Sequence, residues 1–316
     1  MYSIGVDLGG TKILTGLVDH VGVIYNTVER STKAEDGPEA VIERIARSIE
    51  EVTETVSINE ICGIGIGAPG PLDSLTGVVL SPPNLPGWDN IPLRQRIEER
   101  FGIPTFLEND ANVAALAEHR FGAGRGVDDM VYITVSTGIG AGLILGGRLY
   151  GGAGGFAGEI GHIVVDANGR PCVCGNRGCL EAVASGTAIG RKAEQVFNRP
   201  VSAKEVAAMA ATGNPEARAI FDEAIHYLGM GLVSIVNLFN PSKIVIGGGV
   251  SRIGDAMFHP LSRKVKERAF PAPAAMVDIV PAQLGPNSGL LGGAALPLTQ
   301  QAGSKKAESV LKGEFV

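Results

Sequence analysis

The sequence predicts two α/β domains of related topology. Three observations lead there. The strand pattern of the opening residues recurs after Met130, a strand–helix–strand crossover follows the first copy, and 316 residues are long for one core but ordinary for two domains of about 100–200 residues. The opening string IGVDLGGTKILTGLVDHVGVIY reads as strand, Gly/Thr turn, strand, glycine turn, strand, and MVYITVSTGIGAGLILGGRLYGG repeats that logic. A repeat unit well over roughly 50 residues long argues for two duplicated domains, with a cleft expected between them, instead of a solenoid.

In chain order, YSIGVDLG, KILTGLVD and GVIYNTVER alternate with period two and are predicted as three consecutive antiparallel strands. Val41, Ile45, Ile49 and Val52 stand at helical spacing, and the strand ICGIGIGA after them completes a crossover. Prolines 69, 71, 82, 83 and 86 mark an irregular stretch. Beyond it come a helix near residues 92–101, a strand at 105–108 and a helix from Asp110 to about residue 121. After the second strand set lies a cysteine-bearing loop at about 168–178, then helical sequence to Leu238, the strand KIVIGGGV, a helix near 255–268 and the strand-like AMVDIVPA. The run GLLGGAALPL is predicted to start a helix that returns to the first domain. The expected division is a small lobe at 1–118, completed by a C-terminal helix at about 293–316, and a larger lobe at 119–292. The tail 303–316 is assigned no role.

Composition narrows the function. Hydrophobic residues make up 45% and charged residues 19%, with 45 glycines, which suits buried parallel strands joined by tight turns. The net charge is −6 and no basic stripe is present, so a nucleic-acid partner has little electrostatic support. The chain enters a strand-like run at once, without a signal-type segment, and no run of about 18 apolar residues escapes charges or glycine clusters. A cytoplasmic protein without membrane association is expected. Cys172, Cys174 and Cys179 crowd one loop while Cys62 stands alone, and in a reducing compartment that crowding suggests metal before disulfide.

Three glycine-rich turns can carry phosphate chemistry. In Asp7-Leu-Gly9-Gly10-Thr11-Lys12 the backbone amides can face an anion, and Asp7 beside a phosphate makes sense with a magnesium ion between them. A plain hairpin with a glycine turn is the alternative reading of that string taken alone. Ser136-Thr137-Gly138 offers hydroxyl and amide donors, and Gly247-Gly248-Gly249 after a strand could admit an adenosine against bare backbone. Gly65-x-Gly67-x-x-Gly70 has the spacing of a dinucleotide fingerprint, but Pro69 and Pro71 stand where its helix should run. No GxxxxGK[ST] occurs, which excludes a P-loop kinase.

Glu108-Asn109-Asp110-Ala111-Asn112 ends a strand and opens a helix. An Asp or Asn there caps the helix; Asp110 can also serve as the base that takes a hydroxyl proton during phosphoryl transfer. His162 with Cys172-x-Cys174-Gly-x-x-Gly-Cys179 supplies one imidazole and three thiols, a set suited to tetrahedral structural zinc, with a redox pair or inert thiols as the alternatives. Glu159 and Glu181 flank that anchored loop, either as surface charges or as carboxylates able to discriminate polyol hydroxyls.

DLGGTK, PNLPGW, ENDAN, STGIGAG and the run from AGEIGH through CVCGNRGCLE together resemble the ROK family of repressors and sugar kinases, over almost the whole chain, and within it the zinc-containing bacterial glucokinases. The resemblance implies two actin-like, ribonuclease-H-like lobes that close over their substrates. It implies ATP-dependent phosphorylation of glucose at the 6-hydroxyl, with Asp110 as general base. It places the sugar against Asn84, Asn109, Asp110, Glu159, His162 and Glu181. The ATP phosphates fall near Asp7, Gly9, Gly10, Thr11, Lys12, Thr137 and Gly138, and the adenosine near Gly248 and Gly249. His162 would hold zinc through one ring nitrogen and the sugar through the other. Magnesium, a homodimer or homotetramer, and a role in glycolysis complete the expectation. The rivals are a kinase for another hexose (N-acetylglucosamine, N-acetylmannosamine, mannose or fructose) and a sugar-sensing repressor, for whose helix-turn-helix the start of DLGGTK at residue 7 leaves no room.

Overall fold

The computed structural model describes residues 1–311, with side chains through Thr299. The chain divides into two compact units: Met1–Gly122, Gly152–Gly155 and Pro286–Val316 form one, and Ala123–Gly151 with Phe156–Gly285 form the other. The expected cuts at 118/119 and 292/293 lie inside helices, whereas the observed cuts at 122/123 and 285/286 leave those helices whole. A helix packed on one core stays with it along its whole length. The tail 303–316 lies outside the residues whose side chains are described.

In the first unit β1 (Tyr2–Leu8), β2 (Lys12–Asp19) and β3 (Ile24–Ser31) form the antiparallel set the alternation predicts. α1 (Pro38–Thr53) crosses over to β4 (Ile61–Ala68), which runs parallel to β1. A two-rung hairpin, β5 (Leu72–Asp73) and β6 (Val78–Val79), precedes α2 (Leu93–Phe101), β7 (Thr105–Asn109) and α3 (Asp110–Phe121). The main sheet has the order β3-β2-β1-β4-β7, with β7 parallel to β4. Pro38 starts α1 where a missing amide hydrogen does no harm, and Gly102 ends α2 in the left-handed conformation with its amide donating to the Glu98 carbonyl at 2.8 Å. Successive side chains of a strand face opposite ways, so Ile4, Val6 and Leu8 join Val41, Ile45 and Ile49 of α1 in one core.

The second unit repeats the plan. β8 (Met130–Val135), β9 (Ile139–Leu145) and a third strand of only two residues, β10 (Arg148–Leu149), are antiparallel. Then come α4 (Leu180–Ala184), α5 (Gly186–Phe197), α6 (Ala203–Ala211), α7 (Pro215–Phe239), β11 (Lys243–Gly247), α8 (Asp255–Arg268), α9 (Pro271–Met276) and β12 (Asp278–Pro281). The sheet order β10-β9-β8-β11-β12, with β11 parallel to both β8 and β12, matches the first unit strand for strand. Each unit is thus a ribonuclease-H-like sheet, as in actin-like lobes. Of the expected strand AMVDIVPA only Asp278–Pro281 is extended, because Ala275 and Met276 finish α9 behind its two N-terminal prolines. A single 3-10 turn, Val250–Ile253, stands between the triple glycine and α8. By length and composition α7 is apolar enough to cross a membrane, and its Ile220, Phe221, Leu228, Leu232 and Val236 are buried in this unit's core.

The last helix, α10 (Ser288–Leu311), returns to the first sheet and packs on β1, β2, β4, β7 and α3. It lies so close that a Cβ on Gly65 would stand 1.9 Å from the Gly293 carbonyl oxygen, one on Gly5 2.0 Å from the Leu290 oxygen, and one on Gly292 1.8 Å from the Val113 oxygen. Two glycines of the fingerprint-like string are accounted for here. Gly65 admits α10, and Gly67 admits Val113 of α3, which a Cβ would meet at 2.7 Å.

Candidate active site

At the end of β1 the chain turns through Gly9 to Lys12. The Gly9 amide donates to the Lys12 carbonyl at 2.9 Å, and the Thr32 hydroxyl donates to the Gly9 carbonyl at 2.7 Å, which pins the turn to the end of β3. Gly10 presses on the PNLPGW loop, where a Cβ would meet the Asn84 carbonyl oxygen at 2.9 Å. That loop is nailed down by buried Leu85 and Trp88 and leaves Asn84 exposed beside the turn. Lys12 points along the sheet, where its ammonium pairs with Glu29 at 2.8 Å; a phosphate reaching it must compete with that carboxylate.

Asp7 closes the other side of the turn. Its carboxyl lies against the start of α10, where a Cβ on Gly289 would stand 2.4 Å from Cγ. Burial, reinforced by the negative charge of Asp110 and partly opposed by Lys12, pushes its pKa from 3.8 up to about 6. Asp7 and Asp110 therefore share one electrostatic neighbourhood, and a cation between them and a phosphate would relieve it.

At the junction of β7 and α3 the capping and acidic roles separate. Asn109 is the N-cap, its Oδ1 accepting the Ala111 amide at 2.9 Å, and Asp110 is the first helical residue, exposed, with its own Oδ1 2.7 Å from the same amide. Beneath them Glu108, buried, accepts from the Asn109 amide at 2.8 Å and from Asn112 Nδ2 at 2.9 Å, and the Ser74 side chain bonds to it as well. Burial raises its pKa against those bonds. Sequence reasoning gave Glu108 no role; its signal was an acid four residues ahead of an Asn at a helix start.

The second unit assembles the remaining candidates. Ser136, Thr137 and Gly138 link β8 to β9, and the Ser136 and Thr137 carbonyls accept the Gly186 and Thr187 amides of α5 at 2.8 and 3.3 Å. Gly248, at φ 88°, packs its backbone on the end of β8, where a Cβ would stand 2.4 Å from the Val135 oxygen. The Ser136 turn and the triple-glycine turn thus form one corner. A cavity of about 290 Å³ opens beside it, lined by Thr137, Gly138, Glu181, Ser185, Thr187 and Arg191 among others. The last three were not singled out in the sequence, since helix residues are aimed by packing that no local string reveals. Glu181 Oε2 accepts the Ile139 amide at 2.9 Å.

His162 and the three loop cysteines converge, with their ligand atoms all within 4.8 Å of one another. His162 Nδ1 lies 3.6 Å from Cys172 Sγ, and Cys174 Sγ lies 3.6 Å from Cys179 Sγ. A tetrahedral ion with metal–sulfur bonds of about 2.3 Å separates its ligand atoms by roughly 3.8 Å, so the donors fit one. Burial, then the neighbouring thiols, push the Cys179 thiol up to about 12, whereas the Asn176 amide holds Cys174 below the usual range. A bound cation reverses that penalty on Cys179. His162 Nε2 faces the other way, 3.9 Å from the exposed Glu159 carboxylate.

Residues 3–300 match the model of the ROK family. A glucokinase of Thermotoga maritima is 41% identical over 93% of this chain and 96% of its own length. Among solved structures, a ROK hexokinase of Thermus thermophilus superposes with a TM-score of 0.87 at 39% identity, covering 96% of this chain and 99% of that one. A ROK family glucokinase of Streptomyces griseus, in complex with glucose and AMPPNP, superposes with a TM-score of 0.76 at 37% identity over 94% of this chain and 99% of that one.

Proposed function

Because this chain belongs to the ROK family, we propose that it transfers the γ-phosphoryl group of ATP to the 6-hydroxyl of glucose. The observation that carries the reading is the junction at Asn109 and Asp110. Asn109 caps the helix and leaves Asp110 exposed at its first residue, within the electrostatic reach of Asp7, in the unit that also holds the Gly9–Gly10 turn and the Asn84 loop packed on it. As the sugar oxygen forms its bond to γ-phosphorus and the bond to the β-phosphate oxygen breaks, Asp110 takes the hydroxyl proton and ADP leaves. Asn84 and Asn109 supply amides for the neighbouring hydroxyls.

In the first unit Gly9, Gly10 and Thr11, with Lys12 once drawn from Glu29, offer donors to phosphate oxygens; in the second, Thr137 and Gly138 do so, and Gly248 and Gly249 leave room for the adenosine. A bound Mg²⁺ supplies the positive charge that offsets Asp7 against the phosphates. Zn²⁺ suits His162, Cys172, Cys174 and Cys179, and there it fixes the loop and the orientation of the imidazole. Nδ1 turned to the thiols leaves Nε2, with Glu159, for the sugar. We also propose a cytoplasmic homodimer or homotetramer.

An ADP-release assay with Mg-ATP and a panel of glucose, mannose, fructose, N-acetylglucosamine and N-acetylmannosamine tests the reading. Highest kcat/KM on glucose, lost in Asp110→Asn, supports it. Preference for an N-acetylated sugar would keep the mechanism and change the substrate, and no turnover on any sugar would overturn it. Cys174→Ser is expected to lower zinc content by elemental analysis and Tm together; full zinc occupancy in that variant would remove Cys174 from the ligand set.

A further inference from the structure

The cysteine loop and the Ser136–Gly138 turn are joined by one side chain. Cys179 is the N-cap residue of α4, and Glu181 stands in that helix's first turn. From there its Oε2 accepts the Ile139 amide at 2.9 Å, at the first residue of β9. The same oxygen lies so near Gly138 that a Cβ there would stand 2.3 Å from it. On the other side the turn is held by the Gly186 and Thr187 amides of α5. The turn is thus clamped between two helix starts, and the clamp on the α4 side hangs from Cys179, one of the four converging donors. Leu180, between Cys179 and Glu181, is fully buried and donates its amide to the Ile163 carbonyl at 2.9 Å, one residue past His162, so α4 is tied to both ends of the donor set.

We propose that Glu181 is a positioning residue for the nucleotide, and that it couples metal occupancy at the cysteine loop to the shape of the Thr137–Gly138 turn. The inference rests on the kinase reading given above. With the donors held, α4 starts where Glu181 can accept the Ile139 amide, and the turn's remaining donors stay aimed at a phosphate. Without the metal, the start of α4 loses its anchor at Cys179, and the turn loses one of its two clamps. A metal with four protein ligands and no open position would then act on ATP affinity through a single carboxylate.

The test is binding of AMPPNP with Mg²⁺ by titration calorimetry, without sugar, so that contacts of Glu181 to a hexose do not enter. Glu181→Ala, shown by elemental analysis to keep its metal, is expected to bind about tenfold more weakly, which is about 1.4 kcal/mol. Glu181→Gln keeps a carbonyl oxygen for the Ile139 amide and is expected to stay within about threefold of wild type. Stripping the metal from wild type with a chelator should cost a similar factor, and stripping Glu181→Ala should add little, since both act through one contact. Unchanged AMPPNP affinity in Glu181→Ala, or additive losses from chelation and mutation, would overturn the proposal. If chelated wild type loses its near-ultraviolet dichroism, the metal-loaded Ala and Gln variants decide alone: rescue by Gln supports the proposal, and equal loss in both overturns it. Failure of wild type to bind AMPPNP at all would instead overturn the kinase reading.

Discussion

In the first unit the sheet behind the Asp7 turn is closed by α10, which comes from the far end of the chain and meets the strands backbone to backbone through Gly5, Gly65 and Gly293, and α3 through Gly292. In the second unit the long helix α7 is local in sequence, and it packs against α4, α5, α6, α8 and α9 through side chains such as Phe221, Leu228 and Leu232. One strand order is therefore stabilised in two ways. The first depends on the absence of side chains and tolerates no added atom, while the second is an aliphatic core whose side chains can shift. Their chemistry divides likewise. The first unit gathers carboxylates whose burial works against their ionisation, and the second gathers soft donors that a metal can hold.

The largest expected effect tests whether the proton-transfer chemistry lies in the first unit alone. Asp110→Asn should lower kcat by on the order of 10²–10⁴ while glucose binding, followed by the fluorescence of the lone Trp88, stays measurable. Near-normal turnover would break the division at its main point.

Next comes a pair of glycine substitutions, one in each unit. Gly65→Ala drives a methyl to 1.9 Å from a backbone oxygen and should destabilise by at least about 3 kcal/mol. Gly231→Ala meets only the Leu180 Cδ2 methyl, at 2.8 Å, and should lose about 1 kcal/mol because that side chain can rotate. Equal losses in denaturant melts would mean that the two closures are alike in tolerance.

A comparable effect concerns Asp7 in the protein without nucleotide or magnesium. With its pKa raised from 3.8 to about 6, the folded state holds the proton more tightly than the unfolded chain does. Stability should therefore fall as pH rises from about 4 through about 6, by no more than about 3 kcal/mol, and level off above. Asp7→Asn should remove that slope and raise Tm at neutral pH while abolishing turnover with Mg-ATP. An unchanged slope would place the strain elsewhere.

The smallest effect belongs to surface charge. In the first unit ion pairs cross between elements, with Arg100 of α2 reaching Glu43 and Glu50 of α1 and Arg96 reaching Glu39. In the second, Lys192 of α5 reaches Glu223 of α7, while Arg218–Asp222 and Arg263–Glu267 stay within one helix. High salt should thus lower the first unit's melting transition slightly more than the second's, and the reverse order in calorimetry would show that the crossing pairs contribute nothing.

Several features were fixed by the sequence alone, because each follows from local physics. Period-two alternation set the strands and their duplication, helical spacing set α1, and crowded thiols with a histidine implied a metal site. The Asp/Asn string also marked a helix start where an acid could act. What only the tertiary structure decided required long-range contact. Gly65 and Gly67 imitate part of a dinucleotide fingerprint until α10, more than 200 residues from Gly65, and Val113 of α3 occupy the space they leave. Asn109, not Asp110, became the cap and Asp110 the exposed first residue of the helix, and Glu108 was held only when Asn112 and Ser74 closed around it. Lys12 found Glu29 and Glu181 found the Ile139 amide, pairings set by strand register and helix placement that no local pattern encodes.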